Sequence, residues 1–92
     1  MAEIKKIIKN QVYGELKKIF NLKNCFIKVT YENTEDGCQF FITITVEQMN
    51  MNVRTCSTVS NELMNKGNNI VKDIVDDVKK SVDKAINSFI YK

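Results

Sequence analysis

Two stretches of the chain alternate strictly between apolar and polar residues on either side of a short polar turn at residues 34–37. The apolar positions are Cys25, Ile27, Val29 and Tyr31 before the turn and Cys38, Phe40, Ile42, Ile44 and Val46 after it. Such alternation is typical of strands with one buried face. When residues whose numbers sum to 71 are paired, Val29 lies opposite Ile42 and every other pair on this face is also apolar. A slip of one residue would break all of these pairs, so the pattern predicts a β-hairpin over residues 25–47.

A third strand is predicted at residues 50–58, where apolar and polar residues again alternate. A tight turn before it would place Met51 opposite Val46 and Val53 opposite Ile44. The third strand would then extend the apolar face of the hairpin, giving a three-stranded antiparallel meander.

Helical spacing of apolar residues predicts a helix at each end of the chain. Residues 2–21 carry a stripe made of Ile4, Ile7, Ile8, Val12, Leu16 and Ile19, with Gly14 inside the helix. Residues 69–90 carry a second stripe made of Ile70, Ile74, Val75, Val78, Val82, Ala85, Ile86 and Phe89, and Asn68 or Asn69 can cap it. A short helical turn is expected at residues 60–66, ending at Gly67.

This order of elements, α-β-β-β-α, predicts an α+β fold formed by residues 1–92 as a single domain. One face of the sheet is apolar and must be covered, and the two long helices have apolar stripes that can cover it. We therefore expect a two-layer sandwich with the N- and C-terminal helices on one face of the meander.

Composition narrows the possible chemistry. The chain contains no histidine and three cysteines, none of them in a CxxC pair. Histidine is the most common general base and metal ligand, so we expect neither an enzyme nor a metal or cofactor site. The cysteines are expected to be reduced thiols of a cytoplasmic protein. No apolar run approaches the length of about 18 residues needed to span a membrane, so no membrane contact is expected.

The second face of the predicted sheet is polar except at Phe26 and Phe41. Glu32 and Glu47 are also assigned to this face, and Asn50 would begin its third strand. Three interpretations of the two rings remain open: contact with a second copy of the chain, isolated exposed residues, or stacking platforms for bases beside cations. The candidate interface residues are Phe26, Lys28, Phe41, Thr43 and Arg54.

Charge is distributed unevenly along the chain. The net charge is +3, and residues 1–28 hold seven lysines against two glutamates. On the first helix, Lys6, Lys9, Tyr13 and Lys17 are predicted to share one outward face. This face is either a solvated helix surface or a contact surface for a nucleic-acid backbone.

These features favour a small non-enzymatic binding protein that acts through protein–protein contacts and self-associates as a homodimer. An inhibitor or adaptor encoded by a phage or another mobile element has this size and composition. The alternative is an RNA- or DNA-binding protein that uses the basic face of the first helix.

Overall fold

The computed structural model describes residues 2–21, 23–66 and 69–90. The elements are α1 (Ala2–Ile19), β1 (Cys25–Asn33), β2 (Gly37–Val46), β3 (Met51–Ser60), α2 (Asn61–Lys66) and α3 (Ile70–Ile90). A single turn of 3₁₀ helix, Glu47–Met49, connects β2 to β3. The α+β class and the α-β-β-β-α order with its short extra helix are confirmed.

The sheet is an antiparallel meander with the strand order β1-β2-β3. Its register is the predicted one: Val29 pairs with Ile42 in the hairpin. On the other side of β2, Val46 pairs with Met51 and Ile44 pairs with Val53. The apolar positions of all three strands therefore share one face.

The connection between β2 and β3 differs from the predicted tight turn. The 3₁₀ turn ends at Asn50, whose backbone is left-handed (φ 48°) and whose N–H donates to the Glu47 carbonyl at 3.0 Å. Asparagine tolerates this conformation better than most residues. As a result β3 begins at Met51, and Glu47 and Asn50 lie in the connection and not on the strands.

The core lies between the apolar face of the sheet and the two long helices. It contains Ile8, Val12 and Leu16 from α1, Phe40, Ile42 and Ile44 from β2, and Ile74, Val75, Val78 and Val82 from α3, among others. Phe40 is fully buried, and its ring centroid lies 6.0 Å from that of Tyr31. Helix α1 packs over β1, α3 packs over β3, and the two helices contact each other.

The apolar stripe of α1 is wider than the part that the core uses. Ile7 is 52% exposed and Ile19 is 42% exposed, so these two residues do not pack into the core that the stripe was expected to form. The predicted helix end at Gly67 and the alternative cap at Asn68 lie outside the described residues, as does the side chain of Phe89 in the second stripe.

Both long helices begin at the end of the sheet that carries the β1–β2 turn. The ammonium of Lys5, in the first turns of α1, donates to Asn33 Oδ1 at 2.7 Å and to the Gly37 carbonyl at 3.3 Å. At the same end, the N–H of Asn61 in α2 donates to the Asp36 carbonyl at 2.8 Å, and α3 follows α2. The two helices therefore run side by side in the same direction.

Both long helices carry charged residues along their outer sides. Lys72, Asp77 and Lys80 of α3 are exposed, as are Lys6 and Lys17 of α1.

Within the described ranges, no helix is both long enough and apolar enough to cross a membrane.

Candidate functional site

The face of the sheet turned away from the helices, here called the open sheet face, is formed by four residue rows that cross the three strands. The rows are Phe26–Thr45–Asn52, Lys28–Thr43–Arg54, Thr30–Phe41–Cys56 and Glu32–Gln39–Thr58. Successive rows are about 7 Å apart, since side chains on one face repeat every second residue. All five candidate interface residues lie in the first three rows.

The second row places two cations on either side of a threonine. Lys28 pairs with Thr43 and Thr43 pairs with Arg54, so the row is about 10 Å across. Lys28 and Arg54 are exposed and Thr43 is half-buried. Within the described part of the chain, neither Lys28 nor Arg54 has a hydrogen-bond or ion-pair partner. Both charges are therefore available to a ligand.

The two phenylalanines occupy the rows on either side of this cationic row. Phe26 is 57% exposed, whereas Phe41 is half-buried. Cys56 pairs with Phe41 and is exposed. The rings are separated by a polar row and do not form one continuous apolar patch.

The negative charges of the open sheet face lie away from its centre. Glu32 is in the last row, two rows from Lys28. Glu47, which the sequence pattern assigned to this face, is in the 3₁₀ turn. The middle of the face is consequently cationic.

The lysine face predicted on α1 combines exposed and half-buried residues. Lys6 and Lys17 are exposed, Lys9 is half-buried, and Tyr13 is 37% exposed. The Lys17 ammonium lies 5.6 Å from the centroid of the Tyr13 ring, which is within the range of a cation–π contact. This contact occupies one face of the Tyr13 ring.

A groove of about 840 Å³ runs between α1 and α3, and is here called the interhelical groove. Its apolar lining is formed by Ile4, Ile7, Ile8, Ile19, Met64, Ile70, Val71 and Val75. Gly14 also lines the groove, and a Cβ built on it would meet, beyond the backbone of its own helix, no atom of the described residues within 4 Å. None of Lys6, Lys9, Tyr13 and Lys17 lines it, so the groove and the lysine face are on different sides of α1.

Charged residues of both signs line each margin of the interhelical groove. On the α1 side, the Lys18 ammonium lies 3.6 Å from Glu15 Oε1, and both side chains are well exposed. On the α3 side, Asp76 lies between Lys72 and Lys79. Neither margin is therefore purely acidic or purely basic.

Sequence reasoning did not find the interhelical groove. It assigned Ile7 and Ile19 to a single apolar stripe, and the periodicity of a stripe does not tell which part of it a sheet covers. Two signals pointed to the groove: a stripe wider than one contact surface needs, and a glycine in the middle of the helix.

The three thiols differ in their environment. Cys38 is buried, Cys25 is half-buried and Cys56 is exposed. Burial raises the pKa of Cys25 and of Cys38, and for Cys38 the nearby Lys5 ammonium opposes part of this effect. In the described part of the chain, no three cysteine, aspartate or glutamate side chains come together as a metal site would require.

Comparison with protein-family models, with curated proteins and with solved structures gives no match.

Proposed function

We propose that this chain is a small binding protein that acts through protein–protein contact and not through catalysis, and that its contact surface is the interhelical groove. The observation that carries the proposal is the exposure of Ile7 and Ile19 along a groove whose lining is largely apolar. Apolar side chains grouped around a groove are typical of a site that another protein covers. Such a protein would serve as an inhibitor or an adaptor.

The charges at the groove margins favour a second copy of the chain as the partner. In a two-fold dimer the same surface meets itself. Because each margin carries both signs, Glu15 and Asp76 of one copy can face lysines of the other. A strongly acidic or strongly basic partner would instead meet charges of its own sign on both margins.

Gly14 adds room for this contact. Among the residues that the structure describes, no side chain fills the space above it, so a side chain of the second copy has space to enter there. The expected dimer joins the two helix layers and leaves both open sheet faces exposed.

Sedimentation equilibrium over a concentration series tests the proposal. The wild-type chain is expected to be a dimer at high micromolar concentration, and Ile7→Glu is expected to be a monomer because its charge would be buried in the interface. Phe26→Glu is the matched control, since it places the same charge at a similarly exposed residue on the other layer. A wild-type monomer at every concentration, or dissociation by Phe26→Glu instead of Ile7→Glu, would contradict the proposal.

A further inference from the structure

We propose that the open sheet face binds a single-stranded nucleic acid, with Lys28 and Arg54 on the phosphates and Phe26 and Phe41 under the bases. This site lies on the layer opposite the interhelical groove, and its existence does not depend on the proposed dimer. It also differs from the lysine face of α1.

The positive charges of Lys28 and Arg54 are available to bind phosphate. Lys28 and Arg54 lie on either side of Thr43 and, among the described residues, neither has a partner. Arginine and lysine both bind phosphate, and the threonine hydroxyl between them can donate to a phosphate oxygen. Since Glu47 lies in the 3₁₀ turn and Glu32 lies two rows away, no carboxylate of the described residues adjoins the cationic row.

The rings of Phe26 and Phe41 are placed on either side of the cationic row. Phe26 and Phe41 are in the rows directly on either side of the cationic row, about 7 Å from it in each direction. A strand lying along the sheet would therefore meet a ring, a pair of cations and a second ring in succession. Exposed aromatic residues on a sheet beside cations are a common platform for unpaired bases.

The open sheet face lacks the apolar centre that is typical of a protein–protein interface. The core of a protein–protein interface is depleted in lysine, whereas the centre of this face holds Lys28. Its two rings are separated by that cationic row. The apolar surface suited to a protein partner is the interhelical groove.

The test is fluorescence anisotropy of the full chain with labelled oligodeoxyuridylate and oligouridylate of about 12 nucleotides. Binding of either oligonucleotide is expected, and because the two share one base, the tighter one identifies the preferred sugar. With two phosphate contacts on a single strand, the slope of log K against log salt concentration is expected to be about −1.4. In the double variant Lys28→Gln/Arg54→Gln the slope should approach zero. Replacing a stacking ring, as in Phe26→Ala, should weaken binding by about 5- to 150-fold.

The control is Lys80→Gln/Lys84→Gln, which removes the same charge from exposed positions of α3 that do not line the interhelical groove. It is expected to leave the affinity and the salt slope unchanged, and circular dichroism verifies that each variant is folded. Phe41→Leu keeps an apolar residue at a half-buried position but removes the ring, and is expected to weaken binding like Phe26→Ala. Absence of binding at low salt, equal losses in the control, or loss caused only by Lys6→Gln/Lys17→Gln would overturn the proposal. If a protein binds to the open sheet face and no oligonucleotide does, the proposal is also overturned.

Discussion

Gly37, the first residue of β2, lies so close to the Val59 carbonyl oxygen on β3 that a Cβ at Gly37 would collide with that oxygen. The same Cβ would lie 2.8 Å from the Cα of Ser60. Several connections meet at this point, since the Gly37 carbonyl accepts from the Thr34 N–H at 3.0 Å and from the Lys5 ammonium. Glycine is the residue that allows β3 and the hairpin turn to approach this closely.

Gly37→Ala is therefore expected to destabilise the fold. The added methyl group meets backbone atoms, which cannot move as a flexible side chain can, and we expect a loss of about 1–3 kcal/mol in the free energy of unfolding. Urea unfolding monitored by circular dichroism measures the change. A stability equal to that of the wild type would show that the end of β3 is free to shift.

Gly14→Ala provides a matched substitution with the opposite expected sign. Gly14 lies inside α1, and in the described part of the chain its added Cβ would meet no atom within 4 Å apart from the helix's own backbone. Alanine in a helix interior is favoured over glycine by about 0.5–1 kcal/mol, so the free energy of unfolding should rise by that amount in the same urea experiment. A decrease would mean that another part of the molecule, or a side chain of the second copy in the proposed dimer, approaches Gly14 in solution.

Thr55 lies on the face of β3 that is turned toward the core, and it pairs with Ile42 of β2. Its Oγ1 is buried and has no hydrogen-bond partner among the described residues. A buried polar atom without a partner costs about 1–3 kcal/mol. Thr55→Val removes that cost and keeps a β-branched side chain of similar shape, so we expect the thermal midpoint to rise.

Thr30→Val is the control for Thr55→Val, because Thr30 is exposed on the open sheet face. A substitution there is expected to change stability by no more than about 0.5 kcal/mol. Equal effects of the two substitutions would show that the gain comes from strand propensity and not from removal of the buried hydroxyl.

The buried thiols predict a loss of stability in alkaline solution. Burial raises the pKa of Cys25 and Cys38 above the ordinary value of 9.0, so above that pH the unfolded chain loses thiol protons that the folded chain keeps. The contribution of these thiols to the free energy of unfolding is then fully present below pH 9. It is lost as the pH rises toward the raised pKa of the folded state. Urea unfolding at a series of pH values should show a smaller alkaline decline in Cys38→Ala than in the wild type. Identical declines in the two proteins would contradict this.

The register of the sheet was predictable from the sequence because strand periodicity is two. With the turn at residues 34–37, each apolar residue of β1 has an apolar partner in β2 and Val29 faces Ile42, and the structure has this pairing. The same pairing rule, applied to the polar positions, places Lys28, Thr43 and Arg54 side by side. The strict alternation and the position of the turn together made this part of the fold predictable.

The interhelical groove was not predictable in the same way. Helical periodicity identifies Ile7 and Ile19 as apolar positions of α1, but the distance between two helices over a sheet depends on packing of distant residues. The start of β3 was displaced by one residue for a local reason, the left-handed backbone of Asn50. Neither of these features has a signature in the alternation of apolar and polar residues.

The open sheet face and the interhelical groove lie on opposite layers of a molecule with extents of 42 × 22 × 20 Å. If two chains join through their grooves, their cationic rows point outward in opposite directions. The dimer then has two equivalent sites and is able to bridge two separate strands or two distant segments of one long strand. On a long strand, the second attachment would occur at a high effective concentration, so a weak individual site would give tight overall binding by avidity.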